Sequence, residues 1–248
     1  MATRRFRPTF WATFWAAIGV ALLLGLSVWQ LQRLEWKEAL LAERHERPAM
    51  PALRQEELSA ITDPTAFEFR LVHVTGTFDH AHEMPLLARS MNGNVGVQIV
   101  TPFTLENGTT ILINRGWVPD DHADPATRPQ GLIEGPVTIE ALVRKPGEPN
   151  WLVPDNEPAA NRWFWMDLPA MRTAAGLSPD GPPFYLEERA DQHPGEFPIG
   201  GQTRLDLPND HLQYAITWFL LAIALGVIWF VYHWRRDDAP PATKGDSQ

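Results

Sequence analysis

The sequence predicts an α+β protein in which one transmembrane helix at each end of the chain flanks a single domain with short helices. That domain is predicted to be an antiparallel sheet or to be barrel-like. Two long uncharged, apolar runs lie near the two ends of the 248-residue chain. The residues between them alternate between apolar and polar in several short segments, which is typical of strands. About 176 residues separate the runs, enough for one domain with its own core.

The first apolar run extends from Pro8 to Gln32 and contains 25 positions without a charge. As a helix it would be roughly 37 Å long, more than the ~30 Å hydrocarbon core of a bilayer. The basic residues before it also fit a signal peptide, but the apolar part is too long and no small-x-small cleavage site ends it. We therefore predict an uncleaved transmembrane helix at residues 10–32, after an N-terminus at residues 1–9.

The second apolar run, from Leu212 to Tyr232, has 21 uncharged positions and predicts a transmembrane helix at residues 211–233. Arginines precede the first span and follow the second, so the positive-inside rule places both termini in the cytoplasm. The domain at residues 33–210 then lies on the opposite face. In a Gram-negative bacterium this face is the periplasmic side of the inner membrane. Residues 234–248 are polar and rich in Pro and Ala, and we predict a disordered cytoplasmic tail.

Within the middle segment, helical periodicity continues from the first span to about Glu46, and a short helix is predicted at residues 55–61. A second short helix is predicted at residues 168–177, and residues 120–135 read as a surface loop because they are rich in Pro, Asp and Gly. Residues 106–108 (ENG) suit a hairpin turn. Period-two alternation predicts a strand at residues 67–78, and strand-like runs predict further strands at residues 84–89, 95–105, 109–114, 137–144, 163–166 and 184–188.

The composition disfavours several classes of function. Residues 34–209 hold 14 Lys and Arg against 26 Asp and Glu, and a net charge of −12 argues against nucleic-acid binding. No cysteine occurs in the chain, so disulfides are excluded and the thiolates that cuprous copper prefers are missing. There is no Gly-rich phosphate loop, no G-x-S-x-G and no H-E-x-x-H, so we expect a protein that is not an enzyme.

Two histidine-containing clusters are candidate metal sites. His80 and His82, with Asp79 and Glu83 beside them, would share one face if they lay on a strand. Two close ligands do not make a site, and a solvated loop is the favoured interpretation. The cluster at residues 120–122 (DDH) is a weaker candidate for the same reason.

Aromatic and basic residues form a stripe where the first span ends. At 100° per residue, Trp29, Arg33, Trp36 and Leu40 fall on one side of the helix, with Lys37 at the edge of that side. Aromatic rings beside cations suit a flat ligand with anionic arms, where Arg33 would pair a carboxylate through two hydrogen bonds. Such residues are also ordinary at membrane boundaries, and spacing alone favours that second interpretation.

The second span begins with a matching stripe. His211, Tyr214, Ala215, Trp218 and Ala222 lie near one helix face by their spacing. A neutral imidazole at this position is suited to be an axial haem ligand. The alternative is an interfacial histidine beside an aromatic belt and a packing face, and the pattern alone favours it.

Three motifs carry a resemblance to a known family. They are residues 29–37 (WQLQRLEWK), residues 114–119 (NRGWVP) preceded by residues 101–103 (TPF), and residues 209–219 (NDHLQYAITWF). Together they resemble the Surfeit-locus-protein-one family over nearly the whole chain. The resemblance implies two terminal spans around a domain on the outer face of the membrane.

The resemblance also implies a function, namely a membrane-anchored assembly factor for cytochrome c oxidase that assists haem a delivery to, or insertion into, the core subunit. The implied partners are that core subunit, the haem a synthesis machinery and the lipid bilayer. The alternative is a haem-free scaffold that stabilises oxidase subunits during assembly. The resemblance implies His211 as the haem iron ligand, and the candidate surround of the haem is Tyr214, Trp218, Trp29, Arg33, Trp36 and Lys37.

The motif at residues 114–119 is harder to interpret. Gly116 suggests a backbone position that needs conformational freedom. Arg115 either forms a structural ion pair or faces a haem propionate, and we favour the structural role.

Overall fold

The computed structural model describes residues 4–190, 195–203, 205 and 208–236. The chain divides into two compact units, one formed by Ala42–Leu205 and the other by Met1–Leu41 together with Asp206–Gln248. The helices are α1 (Phe10–Ala49), α2 (Leu168–Ala174) and α3 (His211–His233). The strands are β1 (Arg4–Phe6), β2 (Leu71–Phe78), β3 (Met84–Met91), β4 (Asn94–Leu105), β5 (Thr110–Pro119), β6 (Val137–Arg144), β7 (Tyr185–Glu188) and β8 (Trp234–Arg236).

Five strands of the larger unit close into a ring. Strand β2 pairs with β6, β6 with β7, β7 with β5, and β5 with β4. The long strand β4 then returns to β2, where Phe103–Leu105 pair with Gly76–Phe78. Strand β3 pairs with β4 outside the ring. The predicted α+β, barrel-like class is confirmed, with one parallel pair, β5 with β7, in an otherwise antiparallel arrangement.

The strands of the ring approach one another closely, and packed side chains fill its interior. A Cβ on Gly76 would overlap the backbone carbonyl of Thr104, so the β2–β4 contact requires a glycine at this position. Apolar side chains from every strand of the ring fill the space inside. The fully buried ones include Val72, Val74, Phe103, Ile113, Val143 and Leu186.

A second apolar layer covers the outer face of β3, β4 and β5. Helix α2 contributes Met171 to this layer, which also contains Trp163 and Leu112. The Asp167 side chain caps α2 by accepting a hydrogen bond from the Ala170 N–H at 3.2 Å. The short helix predicted at residues 168–177 is therefore present, but it ends at Ala174.

Three predicted strands differ clearly from the observed ones. The strand predicted at residues 109–114 continues to Pro119 as β5. The strand predicted to start at residue 67 starts at Leu71, because Pro64 begins a 3₁₀ turn and Phe69 has a φ of +67°. The prediction for residues 163–166 is wrong: the structure has a single bridge there, between Leu86 and Trp163. The Trp163 side chain is a core residue of the second layer, which explains why its segment reads as apolar.

Helix α1 is longer than predicted. Instead of ending near Glu46, it includes Pro48 in its last turn and ends at Ala49, where the Met50 N–H donates to the Glu46 carbonyl at 3.1 Å. A proline in the last turn removes only one backbone hydrogen bond, so Pro48 does not prevent the final turn from forming. The short helix predicted at residues 55–61 is a 3₁₀ helix, Gln55–Ala60.

The smaller unit is an antiparallel pair of helices. Both α1 and α3 are long and apolar enough to cross a membrane, and little of either apolar stretch is buried. Large apolar side chains on both helices are exposed, which suits contact with lipid tails. Strand β8 begins the segment 234–248 and pairs with β1. The remainder of the predicted disordered tail, residues 237–248, lies outside the described residues.

Strand β5 contains a bulge within the sequence motif at residues 114–119. Both Arg115 and Gly116 lie opposite Ile99 of β4, so the strand carries one extra residue there. Gly116 has a φ of +125°, and a Cβ on it would overlap the carbonyl group of Ile199. Trp117 and Ile199 pair through two backbone hydrogen bonds of 2.9 and 2.8 Å on the same side. The bulge therefore allows the segment 199–200 to pack against β5.

We expect Gly116→Ala to lower the free energy of unfolding by at least about 1–3 kcal/mol, from backbone strain and the displaced Ile199 segment. For a domain of this size, that loss lowers Tm by about 2–4 °C per kcal/mol. Thermal unfolding of the full chain in detergent measures it.

The matched control is Gly108→Ala in the β4–β5 hairpin. Gly108 also has a positive φ, +83°, but open space lies around its Cβ position. Equal losses in the two variants would mean that the contact with Ile199 contributes nothing.

Candidate functional site

The predicted ligand His211 begins α3 and contacts a buried polar residue of α1. Its Nδ1 lies 2.8 Å from the side-chain oxygen Oε1 of Gln30. One turn away on α1, the Ser27 hydroxyl donates to the Ala215 carbonyl at 2.9 Å. These two contacts hold the start of α3 against the part of α1 where its apolar run ends.

The contact with Gln30 determines which nitrogen of His211 carries a hydrogen. An amide oxygen only accepts, so Nδ1–H is the donor, and in the neutral imidazole Nε2 keeps its lone pair. Within the described part of the chain, Nε2 has no hydrogen-bond partner. A hydrogen bond from one ring nitrogen that fixes the other as a ligand is the usual arrangement of metal-binding histidines.

The predicted surround of His211 is mostly exposed. Trp29, Trp36 and Tyr214 are each about half exposed, and Trp218 is partly buried. The Arg33 guanidinium lies over the Trp36 ring at 3.9 Å from its centroid. The structure therefore brings Gln30, the neighbour of Trp29 in the chain, to His211, while the aromatic stripe of α1 stays uncovered in this helix pair.

A second histidine, His233, ends α3 and is bonded at both ring nitrogens. Its Nδ1–H donates to the Trp229 carbonyl at 2.8 Å, and Nε2 lies 3.2 Å from the Thr9 hydroxyl. The ring is fully buried and packs against Phe6. Of these two histidines on α3, His211 is the one with a nitrogen available to a ligand.

The barrel contains a cluster of charged side chains centred on Arg115. The fully buried Arg115 donates to Glu83 at 3.3 Å and to the Gly131 carbonyl at 2.6 Å, and it lies 3.9 Å from Glu188. Its guanidinium also faces the Phe78 ring at 4.5 Å. These contacts support the structural ion-pair role of Arg115, because its donors point to groups of the barrel.

Arg128 completes the cluster and corrects one prediction. It is buried and donates to the other Glu83 oxygen and, at 3.1 Å, to the His122 carbonyl. Residues 120–135 were predicted as a surface loop, which is wrong at Arg128 and Gly131. Arg128 is buried because it pairs with the buried carboxylate of Glu83. Three 3₁₀ turns make the segment compact.

The pKa of the Glu83 carboxyl is set by opposing effects. Burial raises this pKa. The hydrogen bonds from His80 and Arg128 and the charges of Arg128 and Arg115 lower it by a larger amount, so the pKa lies below the ordinary value of 4.5. His80 contacts Glu83 through Nδ1 at 2.9 Å and the Ile133 carbonyl through Nε2 at 3.1 Å. Both ring nitrogens of His80 are therefore in contact with an oxygen atom of the barrel unit.

Neither histidine cluster forms a metal site. His80–His82 are a 3₁₀ turn and not a strand, and both ring nitrogens of His80 are engaged. His82 pairs with Asp79 at 2.7 Å, and His122 pairs with Asp121 at 2.9 Å. Among the residues that the structure describes, no group of three or more His, Cys, Asp or Glu side chains is arranged to hold a metal.

The fold and the helix pair together define a class of protein. It has a closed five-stranded barrel domain, and in sequence this domain is flanked by two helices suited to crossing a membrane. One of these helices presents a histidine nitrogen at its start.

The chain belongs to the SURF1 family, whose family model matches residues 17–223. Surfeit locus protein 1 of Mus musculus is 37% identical over 237 residues, which cover 87% of this chain and 74% of that relative. The Homo sapiens protein of the same name is 36% identical over 225 residues, covering 83% and 72%. A SURF1-like protein of Monosiga brevicollis is 35% identical over 232 residues, covering 87% and 85%.

Sequence reasoning missed several residues that the structure places at these sites. Ser27 and Gln30 carried a usable signal, since they are polar residues three positions apart in a mostly apolar run. No sequence pattern identifies Glu83, Arg128 and Glu188. They come from separate segments, and the residues next to each of them in the sequence do not indicate that it is buried.

We expect Glu83→Gln to lower the free energy of unfolding by about 3–5 kcal/mol, because it leaves two buried guanidinium groups without their shared carboxylate. Urea unfolding of the full chain, followed by tryptophan fluorescence, measures the loss. The control is Glu157→Gln, which breaks a half-exposed pair with Arg162 at 3.3 Å and should cost less than about 1 kcal/mol. Similar small losses in both variants would contradict the role of the cluster.

We expect the stability advantage of the wild type over Glu83→Gln to shrink in acid. The depressed pKa of Glu83 contributes stability that is fully present above 4.5 and is lost as the pH falls through the folded-state value. Burial raises the pKa of Glu187, so its contribution has the opposite trend, but it is common to both proteins. Urea unfolding from about pH 7 to about pH 3 measures the difference. A difference independent of pH would refute the assignment.

Proposed function

We propose that this chain is a membrane-anchored, non-enzymatic assembly factor for cytochrome c oxidase that holds haem a through His211 and assists its entry into the core subunit. The family membership supports the class of function. The observation that carries the haem assignment is the hydrogen bond between His211 and Gln30, because it leaves Nε2 of His211 as a free lone pair at the end of a helix pair.

The side chains near His211 are chemically suited to a haem. Tyr214, which is about half exposed, and the partly buried Trp218 follow His211 on α3 and offer apolar contact to a flat macrocycle. Trp29 and Trp36 offer the same on α1. Arg33 and Lys37 supply cations for the two propionates. The haem would supply the iron that accepts the Nε2 lone pair, while Gln30 keeps the imidazole oriented.

The proposed location is the bacterial inner membrane, with both termini in the cytoplasm and the barrel domain in the periplasm. Arginines before α1 and after α3 support this orientation through the positive-inside rule. His211 and Gln30 would then lie at the periplasmic boundary. The proposed partners are the oxidase core subunit, the haem a synthesis machinery and the bilayer.

We expect His211→Ala to abolish stoichiometric haem binding and Gln30→Leu to weaken it by about 10–100-fold while keeping a haem spectrum. Haem a is titrated into the purified full chain in detergent, and the Soret band gives occupancy and affinity. The matched control is His233→Gln, which changes a histidine at the other end of α3 that already uses both ring nitrogens.

Each outcome decides between ligand and scaffold. Unchanged haem affinity in His211→Ala would refute the ligand assignment. A wild-type chain that co-purifies with the core subunit but binds no haem would favour the haem-free scaffold. Loss of binding in His211→Ala but not in His233→Gln would support the proposal, provided that both variants remain folded.

A further inference from the structure

A cleft of about 480 Å³ opens on the barrel unit, and its residues are separate from both the helix pair and the Arg115 cluster. Residues of β3, β4, β5 and β7 line it, together with Glu68, Arg144 and residues of the segments 145–153 and 164–166. The volume lies within the range of sites that bind small molecules. The chemistry of its lining groups determines which kind of ligand the cleft can bind.

A β-bulge places a cation in this cleft. The pairing of β3 with β4 shifts by one residue between Leu86 and Arg89, where Ala88 has a φ of +56°. Without the extra residue, Arg89 would lie on the opposite face from Leu86. With it, both side chains line the cleft. Bulges that re-aim a side chain in this way are common beside functional sites.

The Arg89 guanidinium has unused capacity to donate. Its side chain donates to the Phe164 carbonyl at 3.2 Å, and it contacts no carboxylate within the described residues. Burial accordingly lowers the pKa of Arg89. The neighbouring Arg144 is different, because it pairs with Glu187 at 2.9 Å and with Glu68 at 3.6 Å. A partly buried arginine without an anion is costly unless a ligand supplies one.

A second donor lines the same cleft. Tyr185 is buried, and burial raises the pKa of its phenol to about 12, so the hydroxyl keeps its proton. In the part of the chain that the structure describes, this hydroxyl has no hydrogen-bond partner. Tyrosine and arginine donors together suit a carboxylate, which accepts from both at once.

Most of the lining is polar or charged, and the carboxylates of Glu68 and Glu187 are paired with Arg144, but one strip of the lining is apolar and suits a hydrophobic group beside the carboxylate. Phe164, Trp165 and Met166 line the cleft next to Leu86. We propose that this cleft binds a ligand with one carboxylate and an adjacent apolar group, held by Arg89 and Tyr185. A free small acid and the C-terminal carboxylate of a polypeptide share this chemistry.

Calorimetric titration of the full chain in detergent tests the proposal with four probes. They are N-acetyl-phenylalanine, its amide, and a ten-residue peptide ending in phenylalanine as either free acid or amide. We expect both free acids to bind at least about tenfold more tightly than their amides, because only the carboxylate is a charged acceptor. Tighter binding of the peptide acid would identify a polypeptide C-terminus as the source, and equal binding would identify a small acid.

Four variants locate the binding. Arg89→Gln should weaken the free acids by about tenfold or more, and Tyr185→Phe should weaken them by a smaller factor. Arg162→Gln, which changes an exposed arginine near Phe164, should leave binding unchanged. His211→Ala should also leave it unchanged, so this result stands apart from the haem assignment.

The outcomes that overturn the proposal are equally definite. These are equal binding of acid and amide, equal binding by Arg89→Gln and the wild type, or no binding of any probe to folded wild type at millimolar concentration. If Arg89→Gln does not fold, Tyr185→Phe decides the question, since it removes only one hydroxyl.

Discussion

The positive charge of Arg115 inside the barrel is the constraint on which the surrounding segments depend. A guanidinium without access to water requires anions and carbonyl groups at hydrogen-bonding distance. They come from Glu83 in the segment before β3, from the Gly131 carbonyl in the segment after β5, and from Glu188 at the end of β7. One side chain thus fixes three segments that are distant in the chain, and Glu83 in turn fixes Arg128.

Adjacent residues on one strand contact different groups, because side chains along a strand point alternately to opposite faces of the sheet. On β5, Arg115 belongs to the buried cluster while Asn114 lines the cleft. On β7, Glu188 lies with Arg115 while Glu187 pairs with Arg144 beside the cleft. The charges of the cluster and of the cleft are therefore separated by the thickness of one sheet, although their residues are adjacent in sequence.

Much of the architecture follows from local patterns, and what does not follow depends on long-range contacts. Uncharged runs predict α1 and α3, and short strand-like runs predict most strands, because both patterns are properties of neighbouring residues in the sequence. The closure of β2 onto β4 at Gly76 and the parallel pairing of β7 with β5 leave no such local trace. The family motifs point to His211, but the residue that orients it, Gln30, is 181 positions away.

Bulges are the other reason why sequence patterns fall short. An alternation count places Arg89 and Leu86 on opposite faces, and it places one residue, not two, opposite Ile99. Each bulge changes the face of every later residue in its strand relative to the partner. The position of Arg89 in the cleft and the packing of the Ile199 segment against β5 both result from such a shift. They can be predicted only when the pairing register of the strands is known.

Polar contacts at both ends of the helix pair have a mechanical consequence. Gln30 and His211 meet at one end, and Thr9 and His233 meet at the other, about 33 Å apart by helical rise. Ser27 with Ala215 and Thr13 with Trp229 add contacts between them. Sliding one helix by a turn would break all four bonds at once and place polar groups in hydrocarbon. A bilayer thinner than this span would therefore be accommodated by tilting the two helices together as one rigid unit.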